Sequence, residues 1–327
     1  MKVLVTGATG FLGAALVRRL LAEGESVRVL ARDAYKAHRL FGTRVEILQG
    51  DLLEAPKVAA ALKDIEVIYH LAGRLYHPNI PAERYHETHV EGTQVLLQCC
   101  RDLPRLSRLV HCSTTGVYGV TGLNAADEAS LYAPTNPYEQ SKLAGEELAL
   151  RAHAEAQLPV TVVRPALVYG PGDLHLLGFF RQVARGLPAT IAGGRAYIHP
   201  IYIDDMSRSF LLAARLPQAI GRCYNIAGDL AVSFTDLAGT IANVLKRHPC
   251  PLSLPTWMAY GAAMIFRWLP CMGEASAPLT ASRIDFLTHS RIYSCERARR
   301  ELQFTPQVGL NDGIRYTIAW YREHGYL

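Results

Sequence analysis

The sequence predicts an α/β fold in which a doubly wound parallel sheet carries a smaller C-terminal lobe. Short apolar strand patterns alternate with helical patterns as far as about residue 170, and a glycine-rich turn joins the first strand to the first helix. Beyond that point the segments are shorter and punctuated by proline. Strands that alternate with helices form a parallel sheet covered on both faces. We therefore expect one domain over residues 1–170, which also receives segments from about 198–230, and a lobe formed mainly by residues 171–327.

The apolar patterns place the individual elements in chain order. The first strand is predicted at Lys2–Thr6 and the first helix at 14–23, where Gly24 ends the helical periodicity. Further strands are predicted at 27–30, 45–49, 67–71, 109–113 and 160–164, with helical patterns between most of them. A later helix begins near Asn136 and Pro137. Two isolated strands, at 198–203 and 223–227, lie within the second part of the chain.

Composition and charge describe an ordinary globular protein of 327 residues. Hydrophobic residues make up 50% and charged residues 19%, which excludes a disordered, collagen-like or coiled-coil chain. The formal net charge is +5 without a run of five like charges, so we predict no nucleic-acid partner, and the mild excess suits an anionic cofactor. Seven cysteines without a CxxC pair indicate neither a disulfide framework nor zinc, and we expect a cytoplasmic location. His86 and His89 have no third partner, so we predict no metal site.

The run TGATGFLG at 6–13 joins the first strand to the first helix. Glycines in this place permit a tight turn, a close approach of backbone to a pyrophosphate and close packing of helix on strand, while the helix N-terminus supplies N–H donors. A plain turn is the alternative interpretation, but the position at the start of a strand-helix-strand unit favours a dinucleotide site. The residues predicted to hold the pyrophosphate are Gly7, Thr9, Gly10, Phe11, Leu12 and Gly13.

The end of the second strand decides which dinucleotide binds. A ribose 2′-hydroxyl is usually held by an acidic residue there, whereas a 2′-phosphate needs a guanidinium. Arg32 follows Ala31 at this point, which favours NADP(H); NAD(H) is the alternative, with Arg32 solvated and Asp33 holding the ribose. Asp51 lies where it could meet an adenine amino group, or it could be a helix N-cap.

Tyr138 and Lys142 are four residues apart on a predicted helix, so both side chains lie on one face. The hydroxyls of Ser113 and Thr114 lie at the carboxyl end of the fifth strand, the edge where ligands bind in such sheets. Hydride transfer to a carbonyl needs a proton donor at the oxygen. In the reverse reaction the same side chain must accept a proton, and a phenol with an unperturbed pKa of about 10 is too weak a base for that step. A nearby lysine ammonium is expected to lower that pKa, while a hydroxyl holds the substrate oxygen.

Taken together, these motifs resemble the extended short-chain dehydrogenase/reductase superfamily, whose dinucleotide domain is a Rossmann fold. The resemblance includes TGATGFLG at 6–13, GDL at 50–52, HLAG at 70–73, VEGT at 90–93, STTGVYG at 113–119, PYEQSK at 137–142, RPALVYGPGD at 164–173 and IYIDD at 201–205. ARRELQFTP at 298–306 and GIRYTIAWY at 313–321 are similar to that family's closing pattern.

The resemblance implies a role for each matching residue. Tyr138 is the catalytic acid and base, Lys142 its partner and Thr114 the hydroxyl, with Ser113 as the second candidate. The residues implied to line the cofactor are Asp51, Leu52, Leu71, Ala72 and Gly73, together with Tyr138 and Lys142, and those implied to frame the nicotinamide are Pro165, Ala166 and Val168.

Three departures from the family pattern bear on the substrate. His89 stands where the family often has Asn, and Ala31-Arg32 stands where sugar-nucleotide enzymes usually carry an acid. His199-Pro200 replaces an Arg-Asp pair of those enzymes. The chain is therefore more similar to the branch of 3β-hydroxysteroid dehydrogenases, sterol-4-carboxylate dehydrogenases and dihydroflavonol reductases, which implies a lipophilic alcohol or ketone.

Two other functions stay open at this point. A nucleotide-sugar 4-epimerase or dehydratase with bound NAD is the first, since Arg181, Arg185 and Arg195 could meet a diphosphate. A non-catalytic dinucleotide-binding module is the second, but the retained tyrosine and lysine speak against it.

The stretch 252–272 is apolar and aromatic, with Arg267 as its single charge. Fourteen residues lie between Pro255 and Pro270, which are too few to span a bilayer. We expect a core helix or a dimer helix; the alternatives are a lid over a lipophilic substrate and a peripheral contact with a membrane surface. A homodimer is the predicted assembly.

Overall fold

Helices and parallel strands alternate along the first two thirds of the chain in this computed structural model, which describes residues 1–101, 103–187, 190–248, 250, 252–268 and 280–327. The strands are β1 (Lys2–Thr6), β2 (Ser26–Ala31), β3 (Glu46–Gln49), β4 (Val67–His70), β5 (Arg108–Cys112), β6 (Val160–Pro165), β7 (Leu167–Tyr169), β8 (Tyr197–Ile198), β9 (Pro200–Tyr202), β10 (Cys223–Ile226) and β11 (Val232–Ser233). The helices are α1 (Phe11–Ala22), α2 (Ala34–Phe41), α3 (Ala55–Leu62), α4 (Ala82–His86), α5 (Gly92–Cys100), α6 (Pro137–Ala156), α7 (Leu177–Ala184), α8 (Ile203–Arg215), α9 (Phe234–Leu245), α10 (Thr256–Trp268), α11 (Ala281–Thr288), α12 (Glu296–Leu302) and α13 (Leu310–Glu323).

Seven of these strands form one parallel sheet in the order β10-β6-β5-β4-β1-β2-β3. The order reverses between β1 and β4, and ligands of such sheets bind in the crevice outside the carboxyl ends of the strands at this point. The predicted doubly wound α/β fold is confirmed. β10, from the later part of the chain, is an edge strand of this sheet.

Both faces of the sheet are covered, as its continuous apolar strands require. Val3 and Val5 of β1 face a cluster formed with α1 and α8, whereas Leu4 between them faces a cluster formed with α3 and α5. Alternate side chains of one strand therefore enter two separate cores. The carboxyl ends of the strands are held at fixed spacing, and the loops that leave them form the site.

The C-terminal lobe has a core of its own. Phe180 of α7, Phe234 of α9 and Ile318 of α13 belong to one buried cluster. The Tyr321 hydroxyl donates to the Asp173 carbonyl over 2.7 Å, which fixes α13 to the loop after β7. Among the described residues, none of the helices combines the length and the apolar character needed to cross a membrane.

Some predicted boundaries shift. α1 begins at Phe11, three residues before the prediction, because Gly10 already serves as its N-cap residue. The single strand predicted at 198–203 consists of two short strands: β8 pairs antiparallel with β11, and β9 pairs parallel with β7. Ile203 then begins α8, which returns to pack on α1. The predicted start of α6 is confirmed, with Asn136 as the N-cap residue.

Candidate active site

The glycine-rich turn between β1 and α1 is tight because its glycines lie against backbone atoms. Gly7 has a φ of +71°, and a Cβ atom there would lie 2.6 Å from the backbone of Leu71 and Ala72, just beyond β4. A Cβ atom on Gly13 would overlap the Gly7 carbonyl oxygen. The Gly10 N–H donates to the same carbonyl over 3.0 Å. Only glycine permits this approach of helix to turn.

The first turn of α1 offers its backbone N–H groups to an anion. Gly10 provides no side-chain cap, and no acidic residue occupies this turn. Free N–H groups and the positive end of the helix dipole favour a phosphate in such a place. Thr9, Phe11 and Leu12 are half-buried around the turn. A Cβ atom on Gly172 would lie 3.6 Å from the Phe11 ring, so the loop after β7 covers this side. The turn fits a dinucleotide pyrophosphate.

A pocket lies beyond the carboxyl ends of β2 and β3. The residues that line it are Arg32, Gln49, Gly50, Asp51, Glu54 and Lys57. The Arg32 side chain is 65% exposed, and its Nε lies 3.9 Å from Asp51 Oδ2. Asp33 caps α2 instead, with its Oδ1 accepting the Lys36 N–H over 2.8 Å. Arg32 and Lys57 are thus the cations among the residues that line this pocket.

The alternative prediction that Asp51 is a helix N-cap is wrong. α3 begins at Ala55 after Glu54, with proline in its first turn, where proline is favoured. Asp51 Oδ1 instead accepts the Leu53 N–H over 3.1 Å in a turn that precedes the helix. Leu52 is buried, and a Cβ atom on Gly92 would lie 3.2 Å from its Cβ, so Leu52 packs against α5.

The loop after β4 lies against the glycine turn. β4 ends at His70, so Leu71 belongs to the loop rather than to the strand as predicted. The Ala72 N–H donates to Thr6 Oγ1 over 3.3 Å. A Cβ atom on Gly73 would lie 3.1 Å from a ring nitrogen of His89. The structure therefore brings residues 71–73 to the crevice between β1 and β4.

Thr114 and Tyr138 meet at the carboxyl end of β5. Tyr138 lies in the first turn of α6, whose start is fixed by the Asn136 side chain, which accepts the Glu139 N–H over 3.0 Å. Thr114 Oγ1 accepts the Gly116 N–H over 3.1 Å, which holds the loop in a short helical turn. The Thr114 hydroxyl lies close enough to Tyr138 to oppose the rise in the pKa of the phenol. The two candidate hydroxyls thus lie near each other at this edge of the sheet.

Ser113, the second candidate hydroxyl, has a different environment. Its Oγ is buried and has no hydrogen-bond partner within the part of the chain that the structure describes. Its N–H donates to the Val163 carbonyl over 2.8 Å, as a continuation of the β5–β6 ladder. Thr114, and not Ser113, is therefore the hydroxyl that contacts the phenol.

The Lys142 ammonium is buried and donates to the carbonyl of Cys112, the last residue of β5. Burial lowers the pKa of Lys142. Burial also raises the pKa of Tyr138, which the hydrogen bond from Thr114 opposes only in part. Burial therefore decides the direction of this shift, and the lowering of the pKa of the phenol by Lys142 stays a prediction. At neutral pH Tyr138 is protonated and can donate a proton.

His89 joins three parts of the site, and its tautomer follows from its partners. The Arg74 N–H donates to Nε2 over 3.0 Å, so the ring proton lies on Nδ1, which is 2.8 Å from Ser141 Oγ. The Ser141 hydroxyl donates to the Tyr138 carbonyl over 2.9 Å. The His89 and Tyr138 rings meet edge to face, with centroids 5.6 Å apart. His89 therefore fixes the loop after β4 relative to the first turn of α6.

His89 departs from the family pattern in the sequence, but its contacts with Arg74 and Ser141 are not predicted from the sequence. His89 lies in the π-helical segment Glu87–Glu91 between α4 and α5. Such segments are rare in proteins, and many of those that occur lie at functional sites. The Tyr85 ring packs beside it with centroids 6.0 Å apart, and the Tyr85 hydroxyl donates to the His77 carbonyl over 3.1 Å. His89 and Ser141 are 52 residues apart, and no local pattern encodes their contact.

Two further buried histidines lie next to His89. His70 Nδ1 lies 2.7 Å from Thr6 Oγ1 and its Nε2 lies 3.0 Å from Thr93 Oγ1. The His111 ring centroid is 5.3 Å from that of His70, and its nitrogens have no hydrogen-bond partner among the described residues. Burial, and then the charge of the nearby lysine, lowers the pKa of His70 to about 3 and of His89 to about 2. Burial lowers the pKa of His111 well below its usual value, so all three are neutral at pH 7.

The end of β6 borders the other side of the crevice. The Pro165 carbonyl accepts the Thr115 hydroxyl over 3.1 Å, and the Ala166 N–H donates to the Ile226 carbonyl over 2.9 Å. Val168 lies in β7 and pairs with Ile201 of β9. Among the residues described, no three His, Cys, Asp or Glu side chains form a group that could hold a metal ion.

A dinucleotide-binding sheet with a threonine, a tyrosine and a lysine at its carboxyl edge defines an NAD(P)-dependent oxidoreductase of the extended short-chain type. Residues 3–227 match the model of the NAD dependent epimerase/dehydratase family. The chain belongs to this family, and the predicted family resemblance and enzyme class are confirmed.

Relatives of known activity span several substrates. The chain is 29% identical to a 2-alkyl-3-oxoalkanoate reductase of Stenotrophomonas maltophilia, over 96% of this chain and 98% of the relative. It is 30% identical to sterol demethylase protein B of Methylococcus capsulatus, over 100% of both chains. The crystal structure of UDP-glucuronic acid 4-epimerase from Bacillus cereus in complex with NAD is similar with a TM-score of 0.80 and 25% identity, covering 99% of each chain.

Proposed function

We propose that this protein is an NADP(H)-dependent oxidoreductase that interconverts an alcohol and a ketone on a lipophilic substrate, a 3-hydroxy or 3-keto sterol or steroid. The proposed substrate class rests on His199, whose imidazole is buried, neutral and already hydrogen-bonded. The observation that carries the cofactor preference is the exposed guanidinium of Arg32 beyond β2.

His199 stands where sugar-nucleotide enzymes tend to carry a charged pair. Its Nε2 lies 3.0 Å from the Gly228 carbonyl, and its Nδ1 accepts the Tyr293 N–H over 3.4 Å. Burial lowers the pKa of this imidazole, so the ring is neutral at pH 7. A nucleotide diphosphate needs cationic or polar partners. Because His199 is neutral and its nitrogens are already engaged, this position offers no cation to a diphosphate.

The arginines of the second lobe offer little support for a diphosphate site. Arg181 Nε donates to the Tyr326 carbonyl over 3.0 Å, near the C-terminus. Arg185 follows α7 and lines a pocket together with Lys246, Arg247 and His248 beyond the end of α9. The loops that border the crevice instead expose leucines: Leu75 is 66% exposed and Leu174 is 53% exposed.

The proposed chemistry rests on side chains at the end of β5. A bound nicotinamide dinucleotide would supply or accept the hydride. Tyr138 is protonated at neutral pH and donates its proton to the substrate oxygen when a ketone is reduced. Thr114 donates a hydrogen bond to the same oxygen, and the Lys142 ammonium lies at the base of the site. In the oxidative direction the Tyr138 side chain must first lose its proton, and the resulting phenolate accepts the proton of the alcohol.

The glycine turn would hold the pyrophosphate, and Arg32 would pair with a ribose 2′-phosphate. Asp33 is engaged as a helix cap by the Lys36 N–H, so it competes poorly for a ribose hydroxyl. The remaining residues proposed to line the cofactor are Asp51, Leu52, Leu71, Ala72, Gly73, Lys142, Pro165, Ala166 and Val168.

A substrate panel tests the proposal. The purified protein is assayed with NADP(H) and NAD(H) against 3-hydroxysteroids, 3-ketosteroids, 4-carboxysterols and 2-alkyl-3-oxo acids, beside UDP- and dTDP-sugars, with Tyr138→Phe as the inactive control. We expect turnover of a sterol or steroid with NADP(H). The relatives named above support this choice, since one is named for a sterol and the other for an alkyl-substituted oxo acid.

A nucleotide-sugar epimerase is the second candidate, because a UDP-glucuronic acid 4-epimerase shares the fold over almost the whole chain. Turnover of a nucleotide sugar, together with no turnover of any lipophilic alcohol or ketone, would overturn the proposed substrate class. Turnover of an oxo acid alone would support the oxidoreductase activity but contradict the proposed sterol or steroid substrate.

A further inference from the structure

Helix α10 buries Ala259 and exposes several large apolar side chains. Ala259 is fully buried and packs in a cluster with Ile191 and Ile284. On the outside, Trp257 is 76% exposed and Ile265 is 65% exposed. An ordinary surface helix has the opposite arrangement, with its large apolar residues towards the core.

The exposed apolar side chains form one continuous stripe. At 100° per residue, the large exposed residues of α10 fall within about half of the helix circumference. These residues are Trp257, Met258, Tyr260, Met264 and Ile265. Leu252, just before the helix, is also 66% exposed. Contiguous exposed apolar surface of this kind marks an interaction site rather than scattered surface residues.

The chain segment that carries the stripe is basic. No aspartate or glutamate occurs between Asp236 and Glu274 in the sequence, whereas Lys246 and Arg247 precede α10 and are exposed. Asp285 of α11, the helix that packs on α10, is paired with Arg291 over 3.0 Å. The segment 237–273 therefore carries cations and no carboxylate in its sequence.

We propose that α10 docks this protein onto an anionic lipid bilayer, with its axis in the plane of the headgroups. A helix of 13 residues is about 20 Å long, too short to cross the roughly 30 Å hydrocarbon layer. Trp257 and Tyr260 have the amphipathic rings favoured at the boundary of headgroups and acyl chains. Lys246 and Arg247 contact lipid phosphates. This inference is independent of the proposed substrate.

A second copy of the chain complements this surface less well. In a two-fold symmetric contact the same patch meets itself, which brings together two copies of a segment that carries cations and no carboxylate. An anionic bilayer satisfies both features of the patch, because it accepts the apolar stripe and attracts the cations.

Flotation of the full-length protein with lipid vesicles tests the proposal. Vesicles of phosphatidylcholine alone are compared with vesicles that contain phosphatidylglycerol. We expect binding to the anionic vesicles, and a loss of about tenfold or more in the Trp257→Ser/Ile265→Ser variant, because each buried side chain contributes at least this factor. The matched control is Leu123→Ser/Leu131→Ser, which removes two leucines that are 74% and 91% exposed elsewhere; it should bind as the wild type does.

Charge reversal provides the second measurement. Lys246→Glu/Arg247→Glu should weaken binding to anionic vesicles and remove the preference for them over neutral ones. The proposal is overturned if the wild type does not float with anionic vesicles, or if Trp257→Ser/Ile265→Ser floats as well as the control. It is also overturned if that variant changes only the oligomeric state in light scattering, which would assign the stripe to a second copy. Thermal unfolding checks that each variant is folded.

Discussion

Three buried neutral histidines beneath the site make the stability of this protein sensitive to mild acid. His70, His89 and His111 keep pKa values far below 6.5 in the folded chain, because burial penalises their charged forms. In the unfolded chain the same rings take up protons near pH 6.5. The unfolded state therefore binds more protons as the pH falls, and the free energy of unfolding decreases. The free energy of unfolding is therefore highest above pH 6.5, where these rings are neutral in both states, and it decreases as the pH falls below 6.5.

The size of the effect follows from proton linkage. Between pH 7.5 and 5.5, a histidine with an unfolded pKa of about 6.5 that stays neutral when folded contributes a loss of about 1.4 kcal/mol. Three such residues give about 4 kcal/mol, which is a large part of the 5–15 kcal/mol that typically stabilises a protein. His199, whose pKa burial also lowers, adds to the loss. The window ends at about pH 5.5, above the range in which unfolded carboxylates take up protons.

Urea denaturation at pH 7.5, 6.5 and 5.5 measures this loss directly. The matched variant is His111→Leu, because the ring nitrogens of His111 lack hydrogen-bond partners in the described structure and leucine keeps an apolar side chain of similar size. Removing one of the three rings should make the decrease in the free energy of unfolding between pH 7.5 and 5.5 smaller by about 1.4 kcal/mol. A free energy of unfolding that is constant over this range, or a His111→Leu variant with the wild-type pH dependence, would refute the reasoning.

Three substitutions test the site itself. Arg32→Ala should weaken NADP(H) binding by about tenfold or more and leave NAD(H) binding unchanged in calorimetric titration; equal effects on both cofactors would reject the assigned phosphate contact. Lys142→Ala should lower both turnover and cofactor affinity, because its charge serves both; wild-type values for either would contradict its assigned role. His89→Phe should lower the free energy of unfolding by about 2–4 kcal/mol, since the Arg74 N–H and the Ser141 hydroxyl both lose a buried partner, whereas His89→Asn can still donate and accept. Equal stability of these two variants in urea would show that the hydrogen bonds of His89 contribute nothing.

The parts of the site that depend on local spacing could be predicted from the sequence. The glycines at 7, 10 and 13 need their spacing for the turn itself, and the structure shows the backbone contacts that exclude a side chain at Gly7 and Gly13. Asn136 followed by proline marks the start of α6, which places Tyr138 in the first helical turn beside the end of β5. In each case a few neighbouring residues determine the geometry.

The parts that depend on distant contacts could not be predicted. The contact of His89 with Ser141 joins separate elements, and the direction of the Lys142 ammonium is set by the end of β5. The residue pattern predicts that the Lys142 ammonium lowers the pKa of the phenol, whereas burial decides the direction of the pKa shift of Tyr138. The exposure of the α10 stripe likewise depends on which face packs against Ile191 and Ile284. The prediction for 252–272 extends over residues 269–272, which lie outside the described residues.

In the proposed reaction Tyr138 transfers the proton that accompanies hydride transfer. The most direct measurement compares wild type with Tyr138→Phe in single-turnover oxidation of NADPH by the ketone that the panel identifies, together with NADPH binding. Phenylalanine keeps the ring that packs on His89 and removes only the hydroxyl. We predict a rate lowered by about 10²–10⁴-fold with NADPH affinity retained. A Tyr138→Phe rate within a few-fold of wild type would contradict the account.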